Sequence, residues 1–205
     1  MQLIAEHLTI ERGGRQVIAD LSFSAHAGSA LVITGPNGVG KSTLLRTIAG
    51  LVRPVSGTLR VDGGDPDRMV PEECHYLGHF DGIKTALTVA ENLAFWRDFY
   101  GARGSRHSLA DALEAVGLDH LMHHPAAYLS AGQRRRLSIA RLLVACRPVW
   151  LLDEPTSALD AGSETRFVAL VNAHLDRGGL ALAATHTPLE FTQARTLRLD
   201  AEVMA

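Results

Sequence analysis

The stretch Gly35-Pro36-Asn37-Gly38-Val39-Gly40-Lys41-Ser42-Thr43 restricts the fold more tightly than any other part of the chain. It follows the spacing G-x-x-x-x-G-K-[ST], and it has the context that this pattern needs. The apolar run Ala30-Leu31-Val32-Ile33 precedes it, as a strand buried on both faces would. A helical pattern follows, with Leu44, Leu45 and Ile48 on one face and Gly50 as a stop. Glycines let backbone N–H groups curl inward and form an anion nest at a helix N-terminus. Lys41 then supplies a point charge for phosphates, and the Ser42 hydroxyl suits a Mg²⁺ ion. Strand, phosphate-binding loop and helix together call for an α/β nucleotide-binding core.

The rest of the chain supports such a core. Residues 2–10 and 16–24 alternate apolar and polar side chains, as antiparallel strands do, around the turn Arg12-Gly13-Gly14-Arg15. A short strand is expected at 57–61. The middle is helical, with helices at 88–100, 108–118 and 132–147. The first two are separated by a flexible break, Gly101-Ala102-Arg103-Gly104-Ser105. Strand character returns at 149–152, then a helix at 163–176 with Phe167, Leu170, Val171 and His174 on one face, and strands at 180–185 and 196–199. The expected division is a core lobe of about 1–78 and 149–205, with a helical lobe of about 79–148 inserted into it.

Composition excludes several classes. With 205 residues and a hydrophobic fraction of 46%, the chain can bury a core and is not wholly disordered. A net charge of −2 disfavours a nucleic-acid-binding role. Two cysteines, Cys74 and Cys146, allow neither a disulfide scaffold nor a four-cysteine zinc site. No secretory signal and no apolar run of about 18 residues is present, so any membrane span must come from other chains.

A second acid site follows the loop. Asp153 and Glu154 stand where the apolar run Val149-Trp150-Leu151-Leu152 ends. Asp153 is placed to hold Mg²⁺ through its water shell, and Glu154 to orient and deprotonate an attacking water. A magnesium-nucleotide hydrolase is the reading, with ATP and Mg²⁺ as the implied ligands. No N-K-x-D run supports guanine.

A third element narrows the class. Leu129-Ser130-Ala131-Gly132-Gln133 resembles the L-S-G-G-Q signature of ATP-binding subunits of ABC transporters, with Ala131 at the third position. The order of motifs is also that family's. Ser157-Ala158-Leu159-Asp160 matches its D-loop and Ala184-Thr185-His186 its switch histidine. The resemblance implies a P-loop NTPase core of the RecA-like type, with N-terminal antiparallel β strands and an inserted helical subdomain. It also implies an ATP-dependent head-to-tail dimer with a second copy. In that dimer Ser130, Ala131, Gly132 and Gln133 act in trans on the γ-phosphate, with Glu154 and His186 catalytic.

Arg134, Arg135 and Arg136 read as a solvated helix face that also meets the partner, not as a nucleic-acid site. Two positions depart from the family pattern. Arg12 stands where an aromatic residue usually stacks on adenine, and a guanidinium plane can take that place. His79 stands where a glutamine senses Mg²⁺ and the γ-phosphate, and an imidazole can make similar hydrogen bonds.

The stretch from Tyr76-Leu77-Gly78-His79 through Phe80-Asp81-Gly82-Ile83 to Phe95-Trp96, with Glu11-Arg12-Gly13-Gly14-Arg15, looks like the ATP-binding subunit of the bacterial cytochrome c maturation system, the so-called haem exporter. That likeness implies integral membrane subunits as partners and a peripheral position on the cytoplasmic face of the inner membrane. It also implies ATP hydrolysis that drives haem export or the release of haem from a periplasmic chaperone. No direct haem binding is expected from the ten histidines. Most of the aromatic group Phe95, Trp96, Phe99 and Tyr100 is expected to be core of the small lobe, and some of it to line a groove that receives a helix of a membrane subunit. An ABC ATPase for another small molecule, and one that transports nothing, stay open as alternatives.

Overall fold

A computed structural model describes residues 1–101 and 107–200 of the 205-residue chain. The break expected at Gly101–Ser105 falls, apart from Gly101, outside the described residues. The described chain divides into two compact units. The first comprises residues 1–76, 148–155 and 171 onward; the second comprises 77–147 and 156–170. Residues 156–170, expected with the core lobe, thus group with the helical middle.

In the first unit, Gly13 and Gly14 close a hairpin between β1 (Gln2–Arg12) and β2 (Arg15–His26). Both glycines have positive φ, 59° and 76°, which a two-residue hairpin turn of this hand requires. β4 (Ser56–Asp62) pairs on the other side of β1, giving an antiparallel sheet of order β2-β1-β4.

A second sheet has the order β5-β6-β7-β3-β8, from β3 (Ala30–Thr34), β5 (Cys74–Leu77), β6 (Val149–Asp153), β7 (Leu180–Ala184) and β8 (Ala194–Arg198). β3 runs parallel to β7 and β8, and β6 parallel to β7. Every residue of β6 and β7 is buried, as strands covered on both faces are. Leu8, Ile10, Ile33, Leu151 and Leu182 share one core with Leu44, Leu45 and Ile48 of α1 (Lys41–Ile48). β5 was not foreseen: Cys74-His75-Tyr76-Leu77 is too short and too mixed to show a period, and α2 (Val70–Glu73) before it contains Pro71.

The second unit is helical, with α3 (Val89–Phe99), α4 (Leu109–Ala115) and α5 (Ala131–Ala145); α3 and α4 both pack on α5. Each begins with a reciprocal capping box: Thr88 with Glu91, Ser108 with Asp111, and Ser130 with Gln133. Phe95 and Phe99 are exposed and Trp96 and Tyr100 only half-buried, so the aromatic group is not the core of this unit that the sequence suggested. Trp96 is half-buried, donates from Nε1 to the Gly82 carbonyl at 3.3 Å, and is covered by the Arg141 guanidinium at 4.4 Å. α6 (Ala161–Asp176) starts in this unit and ends in the first. No helix of the described residues is long and apolar enough to cross a membrane.

Candidate active site

β3 ends at Thr34, and the chain curls through Gly35–Gly40 into α1. Gly35 and Gly40 have φ of 142° and 113°. A Cβ at Gly35 would strike the Leu199 carbonyl, and one at Gly40 would come within 2.8 Å of Val17 Cγ1. Only glycine fits such a backbone so close to its neighbours. Gly40 caps α1 without a side-chain acceptor, and the first turn holds no acid. The N-terminal N–H groups and the positive end of the helix dipole therefore favour an anion. Lys41 is 7% exposed, and its ammonium donates to the carbonyls of Gly35 at 2.7 Å and Pro36 at 3.0 Å. The loop's own backbone thus holds the lysine folded over it.

Asp153 closes β6, with only 3% of its surface exposed. Its Oδ1 accepts the Ser42 hydroxyl at 2.7 Å, and its Oδ2 accepts the Tyr76 hydroxyl at 2.8 Å. The loop residue and the strand-end acid, 111 positions apart, meet directly. Tyr76 in turn accepts a bond from Arg46 Nε at 3.2 Å. Burial pushes the Tyr76 hydroxyl up to about 12, with Arg46 opposing and Asp153 adding to the rise, so it stays a neutral donor. Sequence reasoning missed Tyr76 and Arg46, because their partnership exists only once β5 lies beside β6.

Glu154 follows with φ 45°, a left-handed backbone that a glutamate adopts at a cost of about 1–3 kcal/mol. Its N–H donates to the Ala184 carbonyl at 2.8 Å, which ties the ends of β6 and β7 together. His186 lies two residues beyond Ala184. Thr185 shapes the turn between them, its hydroxyl donating to the Thr187 carbonyl at 3.1 Å and accepting the Thr187 N–H at 3.0 Å. The result is His186 Nε2 at 3.4 Å from Glu154 Oε1. Both side chains are partly open to solvent.

A groove of about 660 Å³ opens beside the phosphate loop, bounded by Arg15, Val17, Asn37, Gly38, Val39, Arg198 and Asp200 among others. Arg12 lies across the hairpin from Arg15 in register, on β1, and the groove takes Arg15 into its wall rather than Arg12. β2, not β1, runs beside the phosphate loop, with Val17 against Gly40.

The second unit carries the remaining sequence candidates. The Ser130 hydroxyl accepts the Gln133 N–H at 3.2 Å, and Gln133 Oε1 accepts the Ser130 N–H at 2.8 Å. The signature is therefore also the N-cap of α5. Ala131 sits at the first helical position, where alanine costs nothing. A Cβ on Gly132 would lie 3.0 Å from the Ala158 carbonyl, so this glycine lets the 157–160 turn pack close. Asp160 caps α6 by accepting the Ser163 N–H at 2.7 Å, which lowers its carboxyl below the ordinary range. His79 is exposed, with its ring edge-on to Phe80.

The arginine run is not a solvated face. Arg135 is 2% exposed and donates to the Gly78 carbonyl at 2.7 Å, next to His79. Arg136 donates to the carbonyls of Val116 and Gly117, both at 2.9 Å, at the end of α4, and Arg134 to the Leu129 carbonyl at 2.6 Å. Adjacent helix residues point about 100° apart, so three arginines in a row reach three different neighbours. Among the described residues, no three His, Cys, Asp or Glu side chains gather as a metal cluster would need, and Cys74 and His75 are buried in β5.

The ABC transporter family profile matches residues 18–157. The chain is 58% identical to the cytochrome c biogenesis ATP-binding export protein CcmA of Nitrobacter winogradskyi, over 97% of this chain and 98% of that one. It is 52% identical to the protein of the same name from Rhizobium meliloti, over 97% and 98%. Among solved structures, an ATP-binding cassette determined as a dimer in a post-hydrolysis state with ADP and Pi superposes with a TM-score of 0.82, at 24% identity, over 98% and 96% of the two chains. A putative ABC transporter ATP-binding protein from Pyrococcus furiosus gives 0.81 at 24%, over 96% and 98%. These two share the fold, an α/β core with one antiparallel and one largely parallel sheet. The chain belongs to the ABC transporter family of ATP-binding proteins, in its cytochrome c biogenesis branch.

Proposed function

We propose that this chain is the ATP-hydrolysing subunit of a membrane ABC complex for cytochrome c biogenesis, powering haem export or the release of haem from its periplasmic chaperone. The observation that carries the ATPase part is the meeting of Ser42 with Asp153 at the end of β6, with Glu154 next in the chain and His186, beyond the end of β7, 3.4 Å from it. The near full-length likeness to the named export proteins supports the branch.

In this reading the loop N–H groups and Lys41 hold the β- and γ-phosphates of ATP. The lysine exchanges its two carbonyl partners for phosphate oxygens. Ser42 and Asp153 form a hard-oxygen donor set that suits Mg²⁺ and would hold it. When bound, that ion neutralises charge developing on the phosphates. Glu154 accepts a proton from the attacking water, and His186 orients that water and the γ-phosphate. Arg15, with Arg12 behind it at the hairpin end, supplies the base contact that an aromatic side chain makes elsewhere in the family.

Ser130, Ala131, Gly132 and Gln133 cap the γ-phosphate held by a second copy in an ATP-dependent head-to-tail dimer. Asp160 lies on the same path, and His79 reports the phosphate state to the helical unit. The exposed Phe80 and Phe99, 84% and 67% open, together with Phe95, receive a membrane subunit. The chain then sits peripherally on the cytoplasmic face of the inner membrane and needs neither nucleic acid nor a haem ligand of its own.

The test is a haem stain of c-type cytochromes in strains that lack this chain or carry Glu154→Gln. Loss of covalent cytochromes in both is expected. Normal cytochromes in both would overturn the cytochrome branch, and normal steady-state hydrolysis by the purified variant would remove Glu154 as the base.

A further inference from the structure

We infer that Tyr76 is a positioning residue for Asp153, holding its carboxylate in the orientation that takes a divalent cation, with Arg46 as the link behind it. This rests on the reading of Asp153 and Ser42 as the cation's protein ligands.

An aspartate χ2 torsion is broad and roughly two-fold, so one hydrogen bond leaves the carboxylate free to swing. Asp153 has an anchor on each oxygen: the Ser42 hydroxyl on Oδ1 and the Tyr76 hydroxyl on Oδ2. A cation that recruits Ser42 removes the first anchor from its resting partner. Tyr76 keeps the second. Its ring is half-buried against the core of the first unit, so the hydroxyl position is set by packing. Arg46 fixes the direction of the bond as well. Its Nε donates to the phenol oxygen at 3.2 Å, which leaves the phenol proton to point at Asp153. The chain Arg46–Tyr76–Asp153 thus links a positive charge, through one hydroxyl, to Oδ2 of a nearly inaccessible acid. Removing such an outer-shell partner commonly weakens a metal site by about 10–100-fold.

The experiment measures ADP affinity of the purified chain in EDTA and across a Mg²⁺ series, with thermal melting as a check on folding. Tyr76→Phe is expected to leave ADP affinity in EDTA within about twofold of the parent. It should raise the Mg²⁺ concentration for half-maximal tightening about tenfold. Arg46→Met is expected to shift it in the same direction by less, and it carries the test if Tyr76→Phe fails to fold. An unchanged Mg²⁺ midpoint would overturn the role, as would an equal loss of affinity in EDTA, which marks a packing effect. Asp153→Asn separates the two readings. If it also leaves the midpoint unmoved, the cation assignment itself falls; if it shifts the midpoint while Tyr76→Phe does not, only the Tyr76 role falls.

Discussion

The His186 imidazole stands 3.4 Å from the Glu154 carboxylate because the backbone joins the two strand ends that carry them, Glu154 N–H to Ala184 carbonyl at 2.8 Å. The sheet thus brings the backbones of the pair together. Glu154→Gln should lower steady-state phosphate release by about 10²–10⁴-fold while ATP still binds. His186→Ala should fall in the same range. Equilibrium ATP binding measured beside turnover checks this, and a parallel loss of binding would place Glu154 in structural support of the loop.

Arg15 rather than Arg12 borders the groove beside the phosphate loop. Arg15→Ala is expected to raise the ATP dissociation constant about three- to tenfold, the scale of one stacking or cation–π contact. Arg12→Ala should raise it by less. Affinity for inorganic tripolyphosphate should stay the same in Arg15→Ala, since the base is missing from that ligand. A matching loss with tripolyphosphate would make Arg15 a source of charge only.

His174 stacks on Trp150 with ring centroids 3.8 Å apart and planes 8° from parallel, and its Nε2 reaches the Pro148 carbonyl at 3.1 Å. Burial lowers its pKa from 6.5 to about 4, with Arg177 adding to the fall and the Pro148 and Leu180 backbone opposing it. The unfolded chain therefore binds the proton first on acidification. The contribution of this histidine, up to about 3 kcal/mol, is present above pH 6.5 and is lost as pH falls towards 4. Thermal melts of parent and His174→Phe between pH 7.5 and 4.5 should show the variant losing less stability. Equal slopes would exclude His174 as a source of the acid sensitivity.

Ser130 is both helix cap and signature hydroxyl. Ser130→Ala should cost about 1 kcal/mol of stability together with hydrolysis. Ser130→Asp should keep the cap and the melting temperature, yet hydrolyse no faster than Ser130→Ala, because its charge would face a phosphate across the dimer. An active Ser130→Asp variant would exclude the trans contact.

Much of this molecule was written locally. The phosphate loop, the hairpin glycines, the three capping boxes and the all-apolar central strands each follow from residues within about ten positions of one another, where steric freedom and hydrogen-bond geometry act directly. Asp153 and Glu154 were legible for the same reason, since a buried strand must end where two acids begin.

Tertiary structure alone decided the rest. Tyr76 could be recognised only once β5, which has no period to read, was laid beside β6. Arg135 looked like part of a charged face until the close packing of helix and loop turned it inward to the Gly78 carbonyl. Arg15 displaced Arg12 because β2, not β1, is the strand that packs beside the phosphate loop, with Val17 against Gly40. Local sequence determines which backbone shapes and which charges exist; the partners those charges find depend on long-range packing, where a buried polar group must meet whatever donor or acceptor the fold brings within reach.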